Sequence, residues 1–475
     1  MVRRINARTA AGLPPAAVRN SRACGGGTAG AGRAVQGVRS LTPPMAASPL
    51  SRPIAAALAG TVAFVLTAGA CSPTAPTRAD AAGPPAASAS SAAGPDAAAC
   101  EPVEARPPNG RDQRPAFAGQ TRACTAPSGV AFTVDVVTTG LVHPWAVRPL
   151  PDGRLLVTER PGRLRIVTAA GAVGAPIAGL PAVDARGQGG LLDVALSPTF
   201  AADRRVYWSY AEPRPGGNGT AVARGTLSAD ERRVDAVEVL FRVQPTYDGD
   251  KHFGSRLAFG PDGMLYITLG ERSDTPMRPQ AQSLASHLGK TIRIAPDGSV
   301  PPDNPFAGRA GALPEIWSTG HRNVQAAAFD AAGRLWEVEM GTRGGDELNL
   351  VRRGANYGWP VAAYGVEYSG APIAGAETAR EGTEQPAYYW DPVIAPSGAA
   401  WYGGEAFPPW RGSLFVGALG QRRLVRLTVE GDRVTGEEHL LAERGKRIRD
   451  VREGPDGALY VVTDEDAGEL WRIRP

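Results

Sequence analysis

Beyond about Ser128, short apolar runs alternate with turn residues along the chain. Residues 132–137 alternate apolar and polar side chains, which is the period-two pattern of a half-buried β-strand. Residues 256–259 and 264–268 are two further runs of this kind, and they flank Pro261-Asp262-Gly263. Proline presets its own φ and glycine accepts positive φ, so this tripeptide favours a tight turn. The pattern therefore predicts hairpins of short strands.

The strand–turn–strand pattern recurs along the chain. Six instances occur, at residues 145–157, 194–208, 251–268, 327–336, 400–416 and 451–462. One such unit cannot bury both of its faces, so the units must stack, and radial stacking closes a ring. We therefore predict an all-β fold, a six-bladed β-propeller over residues 129–475. The strands at 132–137 and 469–473 are expected to share one blade and close the ring by pairing.

Two segments at the start of the chain have no such pattern. Residues 1–44 are rich in Arg, Ala and Gly, and we expect a disordered leader, or a stretch that is not translated, with Met45 as the true start. Residues 45–71 have the anatomy of a signal peptide, with Arg52 ahead of a short apolar run and small residues before Cys71. Their end is similar to a bacterial lipoprotein box. We expect export, with a lipidated Cys71 on the membrane surface or, after ordinary cleavage, secretion.

Residues 72–128 form the next segment. Up to about Ala99 they are mostly Ala, Pro, Ser, Thr and Gly, which cannot bury enough surface to fold, so we expect a flexible tether. Cys100 and Cys124 bracket a Pro- and Arg-rich stretch. In an oxidising compartment they can close one disulfide, and the alternative is two free thiols.

Overall composition excludes some classes of function. The 51 basic and 47 acidic residues give a net charge of +4, which is too balanced for a nucleic-acid-binding footprint. Four cysteines without a Cys-x-x-Cys pair do not indicate a structural zinc site. The 59 glycines and 43 prolines agree with a fold that has many turns.

A pair of arginines near the C-terminus suggests an anion site. Arg447 and Arg449 alternate along one strand and so share a face. Adjacent guanidiniums repel each other unless an anion lies between them, and they suit carboxylates or phosphates. A ligand with several carboxylates is one interpretation. The other is that each arginine pairs with a local acid such as Asp450 or Glu443.

Two further segments offer chemistry. His252 is one of only five histidines and precedes a strand, so it is a candidate general base, although a lone histidine is commonly structural. Asp346 and Glu347 follow a glycine-rich loop whose carbonyl oxygens would suit Ca²⁺, although such a pair also occurs in solvated turns.

Taken together, seven motifs in order resemble the soluble PQQ-dependent glucose/sorbosone dehydrogenase family, in its aldose sugar dehydrogenase branch. The resemblance covers about residues 134–474. The motifs lie at residues 187–192, 252–257, 286–290, 320–323, 346–349, 356–360 and 447–451.

The resemblance implies roles for individual residues. His252 matches the general base that deprotonates the anomeric hydroxyl, while Gln188 matches a residue that contacts the sugar. Arg322 and Asn323 match the pair that holds the quinone edge of PQQ. Other matches are cofactor contacts at Arg447, Arg449 and Trp390, and Ca²⁺ ligands at Gly341, Thr342, Glu347 and Tyr357.

One departure from the family pattern concerns a cation. Gly420 stands where the family commonly has a lysine that contacts PQQ, and Arg422 or Arg423 could replace it. The resemblance implies oxidation of an aldose to its lactone, with PQQ and Ca²⁺ as cofactors and an external electron acceptor. The alternatives are a metal-dependent lactonase or hydrolase on the same ring, and a non-catalytic binding propeller.

Overall fold

The computed structural model describes residues 100–475. The predicted leader at 1–44, the signal peptide at 45–71 and the tether up to residue 99 lie outside these residues. Within 100–475 the strands form six antiparallel sheets arranged as a six-bladed β-propeller. The fold predicted from the strand–turn–strand repeats is confirmed.

The first three blades follow one another along the chain. Blade 1 contains β2 (Pro144–Pro149), β3 (Leu155–Glu159) and β4 (Arg163–Val167). Blade 2 contains β5 (Leu191–Leu196), β6 (Arg205–Arg214), β7 (Gly217–Leu227) and β8 (Val234–Arg242). Blade 3 contains β9 (Leu257–Phe259), β10 (Leu265–Thr268), β11 (Lys290–Ile294) and β12 (Ile316–Thr319).

The other three blades complete the ring. Blade 4 contains β13 (Val324–Phe329), β14 (Leu335–Glu339), β15 (Asp346–Val351) and β16 (Tyr388–Trp390). Blade 5 contains β17 (Pro396–Trp401), β18 (Leu414–Ala418), β19 (Arg423–Glu430) and β20 (Arg433–Leu440). Blade 6 contains β21 (Ile448–Glu453), β22 (Leu459–Thr463), β23 (Gly468–Arg474) and β1 (Thr133–Leu141).

Helix is scarce in the described part of the chain. One helical turn, α1, spans Phe200–Asp203. Three 3₁₀ turns span Arg278–Gln282, Pro408–Trp410 and Ala442–Arg444. None of the helices within residues 100–475 is long and apolar enough to cross a membrane.

Ring closure joins the two ends of the propeller, as the sequence predicts. β1 pairs antiparallel with β23, with Val134 opposite Ile473. An ion pair between Asp135 and Arg474 (2.6 Å) bridges the same two strands at the surface. Blade 1 is smaller than the other five, because its sheet has three strands instead of four and only an isolated bridge from Val167 to Val173 beyond them.

The core lies between blades, because alternate side chains of each strand face opposite neighbours. On β10, Leu265 and Ile267 pack in the cluster shared with blade 2, while Tyr266 packs in the cluster shared with blade 4. All three side chains are buried. Each blade is thus held from both sides, which fixes the strand ends relative to the central axis.

Residues 100–128, which we call the strap, pack on blades 4 and 5, whereas the sequence suggested a tether as far as residue 128. Cys100 and Cys124 form a disulfide. Gln120 is fully buried, and its backbone carbonyl accepts a hydrogen bond from the Tyr389 N–H (2.8 Å). The Asn109 side chain donates to Asp391 (2.7 Å). The strap has few apolar residues of its own, so it is held mainly by polar contacts, with Ala123 alone in the buried cluster of blades 4 and 5 among its described residues.

Candidate functional site

A cavity of about 270 Å³ lies among the inner strands, with walls from all six blades. Its lining combines charged and polar side chains with apolar ones. The lining includes Trp145, Arg160, Gln188, Phe253, Gly254, Gln325, Met340, Ala395, Leu419, Arg447, Arg449 and Asp464. Of the residues that the sequence predicts for the site, this cavity directly gathers Gln188, Arg447 and Arg449.

The two predicted arginines converge on one carboxylate. Arg449 donates to Asp464 at 2.5 Å and Arg447 donates to the same oxygen at 3.2 Å. Burial would raise the pKa of Asp464, but the two guanidiniums, Arg449 first, hold it well below its usual range. The partner is thus neither Asp450 nor Glu443, the acids that the sequence offered as alternatives. One carboxylate cannot neutralise two guanidiniums, so this wall keeps a positive charge.

His252 is buried immediately beside the cavity. Its Nδ1 lies 2.6 Å from Oε2 of Glu271, which is also fully buried. Its backbone N–H donates to Oε1 of the exposed Gln188 side chain at 2.9 Å. The φ of His252 is 50°, a left-handed conformation that non-glycine residues seldom adopt and that is often found at functional sites.

The arrangement fixes the chemistry of the ring. Burial lowers the pKa of His252, against the opposing influence of Glu271, so the imidazole is neutral near pH 7. Burial would raise the pKa of Glu271, but His252 beside it lowers the pKa, so the carboxylate is ionised. An ionised Glu271 places the proton on Nδ1. Within residues 100–475, Nε2 has no hydrogen-bond partner, so its lone pair is available to accept a proton.

Arg322 and Asn323 lie between blades 3 and 4, next to the histidine. Arg322 donates to the carbonyl oxygens of Met340 (2.9 Å) and Gly341 and lies over the Trp359 ring. Oδ1 of Asn323 accepts from the Gly254 N–H (3.2 Å). Asn323 therefore ties the His252 turn to β13, while Arg322 brings a positive charge that further lowers the pKa of His252.

The predicted metal ligands surround a second, much smaller void. Gly341, Glu347 and Tyr357 line a space of about 10 Å³, which is the size of one water molecule or ion. Thr342 is buried nearby, and its Oγ1 has no hydrogen-bond partner in the described part of the chain. The Tyr357 hydroxyl is used elsewhere, since it donates to the Leu350 carbonyl (2.7 Å).

The carboxylates around this void are buried close together. Burial, reinforced by Glu339, raises the pKa of Glu347 well above its usual range. Burial likewise raises the pKa of Asp346 to about 7, although three backbone N–H groups bond its carboxylate. Residues 100–475 contain no cluster of three or more His, Cys, Asp or Glu side chains arranged to hold a metal. A cation here would therefore depend on backbone carbonyl oxygens as well.

Trp390, which the resemblance makes a cofactor contact, lines neither the cavity nor the smaller void. It lies on β16, the outermost strand of blade 4, and its side chain is buried between blades 4 and 5. Its indole N–H donates to Glu437 (3.2 Å). Its distance from the axis follows from the strand order, because only the inner strands of a propeller reach the channel.

Three residues of the site were not singled out from the sequence: Arg160, Glu271 and Asp464. A signal for two of them, Arg160 and Asp464, exists in the repeat, whereas Glu271 stands one position later. The position seven residues after the turn glycine is, in five of the repeats, Arg160, Gly270, Met340, Leu419 and Asp464. Four of these line the cavity, and Gly270 lies against the His252 carbonyl so closely that a Cβ would clash. Aligning the repeats on their turn glycines would have found Arg160 and Asp464 as residues of the cavity wall.

Comparison with known proteins gives a consistent result. The glucose/sorbosone dehydrogenase family model matches residues 141–472. An aldose sugar dehydrogenase of Escherichia coli (strain K12) is 46% identical over 346 residues, which cover 72% of this chain and 92% of that protein.

Solved structures agree. The apo-form crystal structure of the soluble aldose sugar dehydrogenase from Escherichia coli matches with a TM-score of 0.71 and 46% identity, covering 73% of this chain and 100% of that one. The PQQ-bound aldose sugar dehydrogenase from Streptomyces coelicolor matches with a TM-score of 0.59 and 32% identity, covering 72% of this chain and 99% of that one.

Proposed function

The chain belongs to the glucose/sorbosone dehydrogenase family, and from this premise we propose that it is a PQQ- and Ca²⁺-dependent aldose dehydrogenase. The reaction is oxidation of the sugar at C1 to the lactone, with the electrons passed to an external acceptor. The observation that carries this proposal is the free Nε2 of a buried, neutral His252, oriented by Glu271 beside a cationic cavity.

The cavity suits PQQ, an ortho-quinone with three carboxylates. Arg447 and Arg449 have only Asp464 to neutralise them, and the buried Nε of Arg449 has no hydrogen-bond partner among residues 100–475. These groups would hold carboxylates, and Arg322 with Asn323 would hold the quinone edge. When bound, PQQ supplies the acceptor for the hydride that leaves C1.

The protein's own residues then move the proton. Nε2 of His252 accepts the proton of the anomeric hydroxyl as C1 loses hydride. The sugar thus loses two protons and two electrons in all, one proton from the hydroxyl and the other, with both electrons, as the hydride from C1. Glu271 keeps the ring in the correct tautomer and stabilises the imidazolium that forms. Since Oε1 of Gln188 is bonded to the His252 backbone, the amide NH₂ of Gln188 is left to donate to a sugar hydroxyl.

Ca²⁺ would be held by oxygen ligands alone, which suits a hard cation. The backbone carbonyls of Gly341 and Thr342 would hold one ion, which would supply Lewis-acid chemistry to the quinone. Glu347 and Tyr357 would hold a second, structural ion, with Tyr357 using an atom other than its hydroxyl. The raised pKa of Glu347 supports this site, because a buried carboxylate without a cation is costly to ionise.

A hydrolase is the less favoured alternative. A metal-dependent lactonase needs a metal held by carboxylates on the channel axis. Among the described residues, Asp464 is the one carboxylate in the cavity lining, and two arginines already occupy it.

We further propose that the protein is exported and either anchored through a lipidated Cys71 or secreted. Residues 45–71 have the composition of a signal peptide. The Cys100–Cys124 disulfide supports this proposal, because disulfides persist in oxidising compartments.

The test is dye-linked oxidation of a panel of aldoses by the purified protein, with Ca²⁺ alone and with Ca²⁺ plus PQQ. We expect activity only with PQQ, and a fall of about 10²–10⁴-fold in kcat for His252→Ala. The matched control is His439→Ala, whose ring bonds Glu437 and Arg423 outside the cavity. A protein that neither binds PQQ by calorimetry nor oxidises any aldose would be a binding propeller.

A further inference from the structure

A third guanidinium, that of Arg160, lies in the wall of the cavity beside Arg449. It follows β3 directly, in the turn to β4. Its Nε donates to the Gly189 carbonyl (3.0 Å) and its Nη2 donates to the Gly187 carbonyl. Two of its donors therefore fix the side chain against the loop that carries Gln188.

The third nitrogen of this guanidinium has no such use. Nη1 of Arg160 forms no hydrogen bond within residues 100–475, and no carboxylate in that part of the chain forms an ion pair with Arg160. The pKa of Arg160 is lowered, first by burial and then by the charge of Arg449, while Asp464 opposes this. A half-buried cation beside another cation is unfavourable unless an anion binds there.

The cation expected from the family resemblance is absent on the other side of the cavity. Gly420 follows Leu419 and has no side chain to offer. Arg422 is exposed and donates to the Gly445 carbonyl (3.2 Å), while Arg423 contacts His439 (2.6 Å). Neither lines the cavity, so neither replaces the lysine.

We propose that Arg160 binds a carboxylate of the anionic ligand of this cavity, as a third guanidinium beside Arg447 and Arg449. In the proposed function, on which this inference rests, the ligand is PQQ, with its carboxylates shared among Arg160, Arg447 and Arg449. The geometry allows it, because Nε and Nη2 anchor the side chain and Nη1 remains for the ligand.

A purely structural role for Arg160 predicts different behaviour. If Arg160 only braced the loop at 187–190, its charge would be irrelevant, and any loss of ligand affinity in a variant would follow the loss of stability of that loop. If it binds an anion, loss of charge must weaken binding of any fitting polycarboxylate and reduce the salt dependence of that binding.

Calorimetry with PQQ and with benzene-1,3,5-tricarboxylate separates these roles. Arg160→Gln keeps a hydrogen-bond donor and removes the charge, whereas Arg160→Lys keeps the charge. We expect Arg160→Gln to raise the Kd of PQQ by about tenfold or more and to flatten its salt dependence, with a smaller rise in Arg160→Lys. Arg422→Gln is the matched control and should stay within about twofold of the wild type.

The two probes keep the inference separate from the proposed function. A wild type that binds the tricarboxylate but not PQQ would refute the cofactor, and the Arg160 variants would still decide the anion contact on the tricarboxylate. Equal losses of ligand affinity in Arg160→Gln and Arg160→Lys, with a lower Tm in both, would overturn the inference and show that Arg160 only supports the loop at 187–190. Unchanged affinity in Arg160→Gln would also overturn it.

Discussion

The contact between His252 and Glu271 permits a quantitative prediction. Glu271→Gln keeps the size of the side chain and removes its charge. The contact is 2.6 Å long and both groups are buried, so water cannot replace it. A hydrogen bond to a charged group contributes about 1.5–3 kcal/mol. Because each ~1.4 kcal/mol in the barrier is a factor of ten in rate, kcat should fall about 10- to 100-fold.

The same substitution should change the pH profile in a defined direction. Glu271 raises the pKa of His252 against the effect of burial, so its neutralisation lowers that pKa further. The base is active when it is neutral, and activity is lost as the pH falls through its pKa. The acid limb of kcat should therefore move to lower pH in Glu271→Gln. KM should change little, since Glu271 is fully buried and does not reach the substrate.

Steady-state dye-linked oxidation at saturating aldose, from about pH 4.5 to 9, measures both effects. The chain offers a matched control in Glu437→Gln, because Glu437 is also buried and bonds a histidine, His439, at 2.7 Å, away from the cavity. We expect the control to keep the wild-type kcat and pH profile. A Glu271→Gln variant with wild-type kcat and an unshifted acid limb would refute the role assigned to His252.

Three further predictions concern stability. The depressed pKa of Asp464 stabilises the folded protein above the unfolded pKa of about 3.9, and this stability is lost as the pH falls through the folded pKa. When urea unfolding is measured at pH 5 and again at pH 3, the free energy of unfolding should therefore fall less for Asp464→Asn than for the wild type. Replacement of Cys100 and Cys124 by serine should cost about 3 kcal/mol or less in urea unfolding, by release of the strap, and an unchanged midpoint would show that the disulfide adds nothing. Ca²⁺ should raise the Tm of the wild type but not that of Glu347→Gln, and an equal rise in both would remove Glu347 from the metal site.

The fold was predictable from the sequence because its signals are local. The turns at Gly153, Gly263 and Gly457 have φ between +72° and +82°, as the Pro-Asp-Gly pattern requires. The strap was not predictable in the same way. Its composition correctly indicated a segment without a core, but its partners, such as Tyr389 and Asp391, lie far along the chain.

The site was predictable in part, for a related reason. Strand alternation predicts that Arg447 and Arg449 share a face, and both reach Asp464, although Arg447 lies one residue ahead of β21. Glu271 is defined by its contact with His252 across a strand connection, and no local pattern marks it as a partner, whereas Asp464 is marked only when the repeats are aligned on their turns. Trp390 was assigned from resemblance alone, and strand order puts it at the rim.

The residue seven positions after the turn glycine lies at or near the cavity in five of the repeats, and its side chain differs from blade to blade. The same scaffold can therefore present different chemistry at this position. Each hairpin spans a similar length from its outer turn, so this position comes near the axis in every such repeat. In blades 4 and 5 it is apolar, Met340 and Leu419, whereas in blades 6 and 1 it is Asp464 and Arg160. The three guanidiniums that line the cavity, those of Arg160, Arg447 and Arg449, thus lie on the side where the ring closes, and His252 lies with blade 3. A ligand with its charge at one end therefore has one favourable orientation, which presents its other end to the base.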